Sequence, residues 1–220
     1  MEKEKHRIFA STTNMEQMAH FGWQNKRLAL YGLREGYKNS ADDLVDIAIN
    51  SDYNPKILDT YIFPIMFLYR HSLELSLKHI YQRCYGCLPN GGHNLLTLWA
   101  TVKRDVIDKF ITSEEFIVAL KKQKDNFIKY SLEDISLSKI ELLFKELQMA
   151  NQSSAESIPQ NKQVDQKAEV WRYLMDSSKE ENLYFTCDHY IDYMELKKGV
   201  DYIYGVLDFI YSIVDDYFSE

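Results

Sequence analysis

Four polar residues with acid-base or ion-pairing chemistry lie at helical spacing in the first half of the chain: Arg70, His71, Glu74 and Lys78. Offsets of three and seven residues nearly complete whole helical turns, so His71, Glu74 and Lys78 share one stripe, and Arg70 lies about one turn before Glu74. Such a stripe is either a solvated row of ion pairs or the wall of a cleft. The opposite face of the same helix is apolar, which indicates a central helix, and polar groups on a central helix line a cleft or face a partner.

A further candidate, His93, follows the tract with the densest turn signal in the chain, residues 85–92. The Gly, Pro and Asn residues of this tract predict a loop that delivers His93 to the start of the next helix. We therefore expect His93 to join the polar stripe in one functional site.

The composition limits what this chain can be. Apolar residues make up 45% and charged residues 27% of it, as in ordinary folded domains. Arg70 interrupts the apolar stretch that begins near Tyr61, so no stretch approaches the roughly 18 residues that cross a bilayer. The charged N-terminus lacks the apolar segment of a secretory signal, so we expect a cytoplasmic protein with no membrane partner. The net charge of -7 opposes a broad nucleic-acid surface, so DNA is not expected and RNA contact would be local.

Hydrophobic periodicity predicts an all-α fold, with four to five main helices in a single domain that covers residues 1–220. Gly36 closes the first predicted helix, a capping-box pattern at Ser40 opens the second, and Pro64 kinks the third or marks its true start. The predicted helical segments are 15–34, 40–52, 56–83, one that starts at 93, 113–150 and 191–218.

Two stretches depart from this helical pattern. Residues 151–168 are polar and rich in Gln and Ser, which predicts a mobile surface loop. Residues 170–174 and 183–186 are short aromatic segments separated by a turn signal, and we expect them to pair as a small β-hairpin before the last helix.

Three segments resemble the HEPN superfamily of helical bundles. They are Leu73-Glu-Leu-Ser-Leu-Lys78, then Gly92-His-Asn-Leu-Leu-Thr-Leu98, and Trp171-Arg-Tyr173, which is similar to an aromatic-Arg-Tyr-Pro motif of one subgroup except that Leu174 replaces the Pro. The family shows an acidic residue followed four later by Lys, then His-polar-Leu at the start of the next helix. The resemblance covers about residues 62–216, implies a HEPN-like helical bundle, and adds Arg172 to the candidate site.

Many HEPN proteins are metal-independent endoribonucleases of toxin-antitoxin or phage-defence systems, with an Arg, four to six residues and then a His near the final helices. This spacing is missing here. Eight residues separate Arg70 from His79, nine separate Arg83 from His93, and the first histidine after Arg172 lies much further along the chain. The family's usual ribonuclease motif is therefore absent from this sequence.

Cleavage of RNA without a metal requires a base for the 2′-hydroxyl, an acid for the leaving oxygen and a cation for the phosphate. His71 and His93 have the chemistry for the first two roles, and Arg70 or Arg172 for the third. If the protein is an enzyme, we expect a metal-independent endoribonuclease with an unconventional site and no cofactor.

The cysteines permit one other kind of site. Cys84 and Cys87 together with His93 have a spacing that zinc ligands use, but a second pair would have to come from Cys187 and His189, far along the chain. The chain has three cysteines, an odd number that fits reduced thiols. We therefore expect neither a metal nor a disulfide.

Two functional hypotheses follow, and a structural interpretation stands beside them. The first is an effector of a bacterial defence or toxin-related system that engages RNA or a nucleotide. The second is a non-catalytic module whose polar stripe docks a partner protein, such as a nucleotidyltransferase, as in some HEPN pairs. The third makes Arg70, Glu74 and Lys78 a structural ion network. Tyrosines crowd the last helix, and we expect them to form a homodimer interface.

Overall fold

The computed structural model describes residues 14–22, 25–116, 118, 135–148, 168–174 and 188–219, and within these ranges it contains helices and no strand. The α-helices are α1 (Lys26–Ile49), α2 (Pro55–Tyr85), α3 (Leu95–Val102), α4 (Leu137–Gln148), α5 (Val170–Tyr173) and α6 (Tyr193–Tyr217). A 3-10 turn, Met15–Gln17, precedes α1, and a π-helix, Lys103–Ile111, continues α3. The all-α prediction is confirmed for these ranges.

The first helix is one continuous element, and the prediction of two helices broken at Gly36 is wrong. The Asn25 side chain caps its start by accepting a hydrogen bond from the Leu28 amide at 3.0 Å. The buried residues Arg34, Lys38, Ala41, Val45 and Ala48 recur every three or four positions, so one stripe runs past Gly36 without a break. Packing of this stripe against the rest of the bundle outweighs the local stop and start signals.

The second helix is the central element, as its pattern predicts. It begins with Pro55 in the first turn, capped by Asn54, and ends at Gly86, whose φ of 70° is left-handed. Pro64 therefore lies inside the helix and does not mark its start. Between Tyr69 and Ile80 the buried residues fall on every side of the helix and include charged ones. Because this part of α2 is surrounded, its buried polar groups depend on contacts within the protein.

The loop after α2 leads directly into α3. Asn94 caps α3 by accepting a hydrogen bond from the Thr97 amide at 2.9 Å, so His93 lies immediately before the helix, as expected. Leu95, Leu98 and Trp99 of α3 are buried in the core. Further along, residues 114–116 and α4 are helical within the predicted run 113–150, and the break predicted near Ser131 lies outside the described residues.

The segment predicted as the first strand of a hairpin is instead the short helix α5. Its backbone amides bond back one turn, from Tyr173 to Glu169 and from Leu174 to Val170, at 2.8 and 3.0 Å. Val170 is fully buried and Trp171 packs near Phe63 of α2, so tertiary contacts override the strand preference of these aromatic and β-branched residues. The second predicted strand, 183–186, and the predicted loop 151–168, except for its last residue, lie outside the described residues.

The last helix completes the core. Asp192 caps it by accepting from the amides of Met194 and Glu195, and its apolar stripe belongs to the core cluster. Three of the tyrosines that we expected at a homodimer interface have contacts within the chain. The Tyr193 hydroxyl donates to the Leu58 carbonyl, the Tyr204 hydroxyl donates to Glu35, and Tyr211 is 9% exposed.

No helix among the described residues is long and apolar enough to cross a membrane.

Candidate functional site

A pocket of about 240 Å³ opens between α2, the loop before α3 and α5. It brings together five of the predicted residues, and Lys78 reaches the same cluster by contacting Glu74. The residues that line it are Phe67, Arg70, His71, Glu74, His93, Ala168, Trp171 and Arg172. Residues from three separate parts of the chain therefore share one small cavity.

The carboxylate of Glu74 lies at the base of this cluster and is 2% exposed. Its Oε1 atom accepts a hydrogen bond from Lys78 Nζ at 2.6 Å and lies 2.9 Å from His93 Nδ1. Burial by itself raises the pKa of this carboxyl, but the neighbouring His71 and Lys78 outweigh burial and hold the pKa at about 2. Glu74 is thus an ionised acceptor at the bottom of the pocket.

Three separate features hold His93 in place. Gly91 has a φ of 132°, and a Cβ atom there would lie 3.1 Å from Thr97 Cγ2, so the turn before His93 requires glycine. Arg70 donates from Nη2 to the His93 carbonyl at 3.1 Å. The ring then meets Glu74 through Nδ1. The His93 side chain remains 53% exposed, so one of its edges is open to a ligand.

His71 is positioned mainly by aromatic contacts. Its ring stacks on Phe67 with centroids 5.7 Å apart and an interplanar angle of 8°, and it meets the Tyr37 ring edge-on at 4.7 Å. Its Nδ1 atom is 3.8 Å from Glu74 Oε2, which is too long for a hydrogen bond. His71 and His93 therefore face one carboxylate under different constraints.

Arginines stand on two walls of the pocket. Arg70 on α2 is 3% exposed, whereas Arg172 on α5 is exposed and donates from Nε to the Ala168 carbonyl at 2.7 Å. The Arg172 guanidinium also lies 5.2 Å from the centre of the Tyr173 ring. Guanidinium groups recognise phosphate and carboxylate, so these walls suit an anion.

Neither the aromatic residues that line the pocket nor the burial of His79 was predicted from the sequence. Phe67 lies one turn before His71, and this position on the helical stripe could have indicated it. Trp171 was considered only as part of a motif. Away from the pocket, His79 is 2% exposed and stacks on Tyr211 with centroids 4.1 Å apart. Burial, helped by the charge of Arg34, lowers the pKa of His79 to about 4. Nothing in the spacing of His79 distinguishes it from a surface histidine.

The zinc arrangement considered from the sequence finds no support in the described residues. Cys84 is half-buried, and burial raises the pKa of its thiol to about 12. Within the described ranges no group of three or more His, Cys, Asp or Glu side chains is placed to hold a metal ion. Cys187 lies outside those ranges.

Comparison of the chain with known protein families, with curated proteins and with solved structures gives no match.

Proposed function

We propose that this protein is a HEPN-like effector of a bacterial defence or toxin-related system that engages RNA or a nucleotide in the pocket and cleaves RNA without a metal. The observation that carries the proposal is the convergence of two histidines and two arginines on one cavity: His71, His93, Arg70 and Arg172. Acid-base groups and anion-binding groups within one pocket are what phosphodiester cleavage requires.

The chemistry assigns a role to each kind of residue. One imidazole takes the proton of a 2′-hydroxyl, and the freed oxygen bonds to the adjacent phosphorus. The bond from phosphorus to the 5′-oxygen breaks, and the second imidazole, in its protonated form, gives that oxygen a proton. The arginines balance the charge on the phosphate as it forms, and Phe67 and Trp171 offer faces on which a base can stack.

The HEPN-like bundle is part of this proposal. The motif positions that carry the resemblance, Glu74 with Lys78, His93 and Arg172, lie around one pocket, which is what a common ancestral site would produce. We also propose that the protein is cytoplasmic and forms a homodimer.

The test is cleavage of a mixed RNA pool by the purified wild-type protein and by His71→Ala and His93→Ala, with chelator present throughout. We expect cleavage by the wild type and a loss of at least a hundredfold in each variant, since removal of a general acid or base typically costs that much. His20→Ala, at an exposed position outside the pocket, is the matched control and keeps wild-type activity. Absence of cleavage by the wild type would remove the catalytic part of the proposal.

A second candidate function is a non-catalytic module that docks a partner protein, such as a nucleotidyltransferase. The observation in its favour is that the His93 side chain is 53% exposed and Arg172 is exposed, so a partner protein could reach both. Under this alternative, Arg172→Ala abolishes co-purification with the partner, and the wild type cleaves no RNA.

A further inference from the structure

The hydrogen bond between Glu74 and His93 determines which ring nitrogen carries the proton. An ionised carboxylate accepts hydrogen bonds and donates none. Glu74 Oε1 already accepts from the Lys78 ammonium at 2.6 Å, and His93 Nδ1 is 2.9 Å from the same oxygen. The hydrogen between Oε1 and Nδ1 must therefore belong to His93.

This assignment leaves the other ring nitrogen of His93 as an acceptor. A neutral imidazole carries one N–H, so a proton on Nδ1 leaves a lone pair on Nε2. The Nδ1–H form is the less populated tautomer of free histidine, so the carboxylate selects it against the intrinsic preference. Because Nδ1 points to the buried Glu74 and the ring is 53% exposed, the Nε2 edge is the one that a ligand can reach.

His71 is not held in the same way. Its nearest distance to the carboxylate is 3.8 Å, and the rings of Phe67 and Tyr37 fix its plane. No hydrogen bond to Glu74 therefore selects a tautomer of His71, and the two histidines of the pocket are chemically distinct.

We propose that Glu74 is a positioning residue that holds His93 in the Nδ1–H tautomer, so that His93 Nε2 is the base that accepts the proton of the ligand hydroxyl. The role in RNA cleavage rests on the function proposed above, with His71 then donating to the leaving oxygen. The same relation, a buried carboxylate that orients an imidazole through Nδ1, makes the imidazole an effective base in hydrolases. Lys78 supports it by keeping the carboxylate charged.

The test is a long-range ¹H–¹⁵N correlation spectrum of protein labelled with ¹⁵N-histidine, recorded at a pH where the rings are neutral. The ¹⁵N shifts distinguish a protonated from an unprotonated ring nitrogen. His93 is assigned by the signals that disappear in His93→Gln, a substitution at a half-exposed side chain. We expect Nδ1 of His93 in the protonated range and Nε2 in the unprotonated range. We expect Glu74→Leu, which removes the acceptor oxygen, to move His93 towards the Nε2–H form while the His71 signals change less.

The wild-type spectrum tests the tautomer assignment even if Glu74→Leu does not fold. A predominantly Nε2–H His93 in the wild type overturns the proposal, as does a folded Glu74→Leu protein with an unchanged His93. The measurement uses no RNA, so its outcome is independent of the cleavage assay. If the wild type cleaves RNA and His93 is Nε2–H, the proposed function stands and the tautomer assignment fails. If His93 is Nδ1–H and no RNA is cleaved, the tautomer assignment stands and the proposed function fails.

Discussion

Two buried ionisable residues on α2 show how the surroundings set the chemistry of a side chain. Glu74 and His79 are each 2% exposed. Lys78 and His93 contact the Glu74 carboxylate, whereas neither ring nitrogen of His79 has a hydrogen-bond partner among the described residues. Both pKa values fall. That of Glu74 falls to about 2 because His71 and Lys78 favour its charged form, and that of His79 falls to about 4 because burial disfavours its charged form.

His79 should make the stability of the fold depend on pH. Its pKa is 6.5 when unfolded and about 4 when folded, so the unfolded chain binds the proton first. The contribution of His79 to the free energy of unfolding is fully present above pH 6.5. As the pH falls towards 4, the free energy of unfolding decreases by roughly 3 kcal/mol in all. We expect urea unfolding at a series of pH values to show this loss in the wild type.

The matched variant for this test is His79→Leu, which removes the titrating ring and keeps the site apolar. The difference in unfolding free energy between the wild type and His79→Leu should change by about 3 kcal/mol between pH 7 and pH 4. His20→Ala, at an exposed position, should follow the wild type. Parallel curves for the wild type and His79→Leu would show that His79 does not stay neutral in the folded state.

At the scale of helices, long periodic patterns were predictable and short local signals were not. The predicted ends of α2 and α6 all lie within two residues of the observed ends, because many turns of apolar spacing and clear caps agree there. The prediction divided α1 at Gly36 because glycine and a capping box are strong local signals. Residues 170–174 were predicted as a strand because a helix of one turn is too short to show a helical periodicity, and aromatic and β-branched residues favour strands.

Gly36→Ala tests the continuity of α1. Gly36 lies in the helix interior at an exposed position, and a Cβ atom there would meet nothing within 4 Å. We expect the substitution to raise the free energy of unfolding by roughly 0.5 to 1 kcal/mol, because alanine loses less backbone entropy. Thermal or urea unfolding measures this.

A matched control is Gly91→Ala, where a φ of 132° and a contact of 3.1 Å to Thr97 make any side chain strained. This variant should lose roughly 1 to 3 kcal/mol. If Gly36→Ala were destabilised in the same way, α1 would end at Gly36 in a left-handed turn, and the continuous helix would be wrong.

At the scale of the whole molecule, the pocket is assembled from parts that no local pattern connects. Arg70, His71 and Glu74 lie within two turns of α2, and a loop connects the end of α2 to His93. Their proximity could therefore be predicted from helical spacing and a short connection. Arg172 comes from far along the chain, and its place in the candidate site came from a family resemblance. Periodicity alone carries no information on how α5 docks against α2, because that depends on contacts such as Trp171 near Phe63.

The burial of several charged groups could not be predicted from the sequence either. Arg34, Arg70 and Glu74 are each at most 3% exposed, although such residues are usually found at the surface. Two of the α6 tyrosines, Tyr204 and Tyr211, lie against the guanidinium group of Arg34. Aromatic side chains with a polar tip suit such a contact and a dimer interface equally, so their number alone did not decide between them.

We propose that the pocket is where this protein binds RNA, and reversing a charge in the pocket is a direct test. Arg172→Glu places a negative charge in the pocket, and Arg104→Glu places one on the π-helix, where Arg104 is 63% exposed and pairs with Asp105. Each substitution makes the net charge of -7 more negative by the same amount. The two variants therefore differ in position and not in total charge.

Fluorescence anisotropy of a labelled single-stranded RNA at low salt gives the affinity of the wild type and of both variants. We predict that Arg172→Glu weakens binding about tenfold or more, because a hydrogen bond to a charged group contributes roughly 1.5 to 3 kcal/mol, and that Arg104→Glu changes it less than about twofold. Equal losses in the two variants, or no binding by the wild type, would contradict the assignment of this pocket as the RNA site.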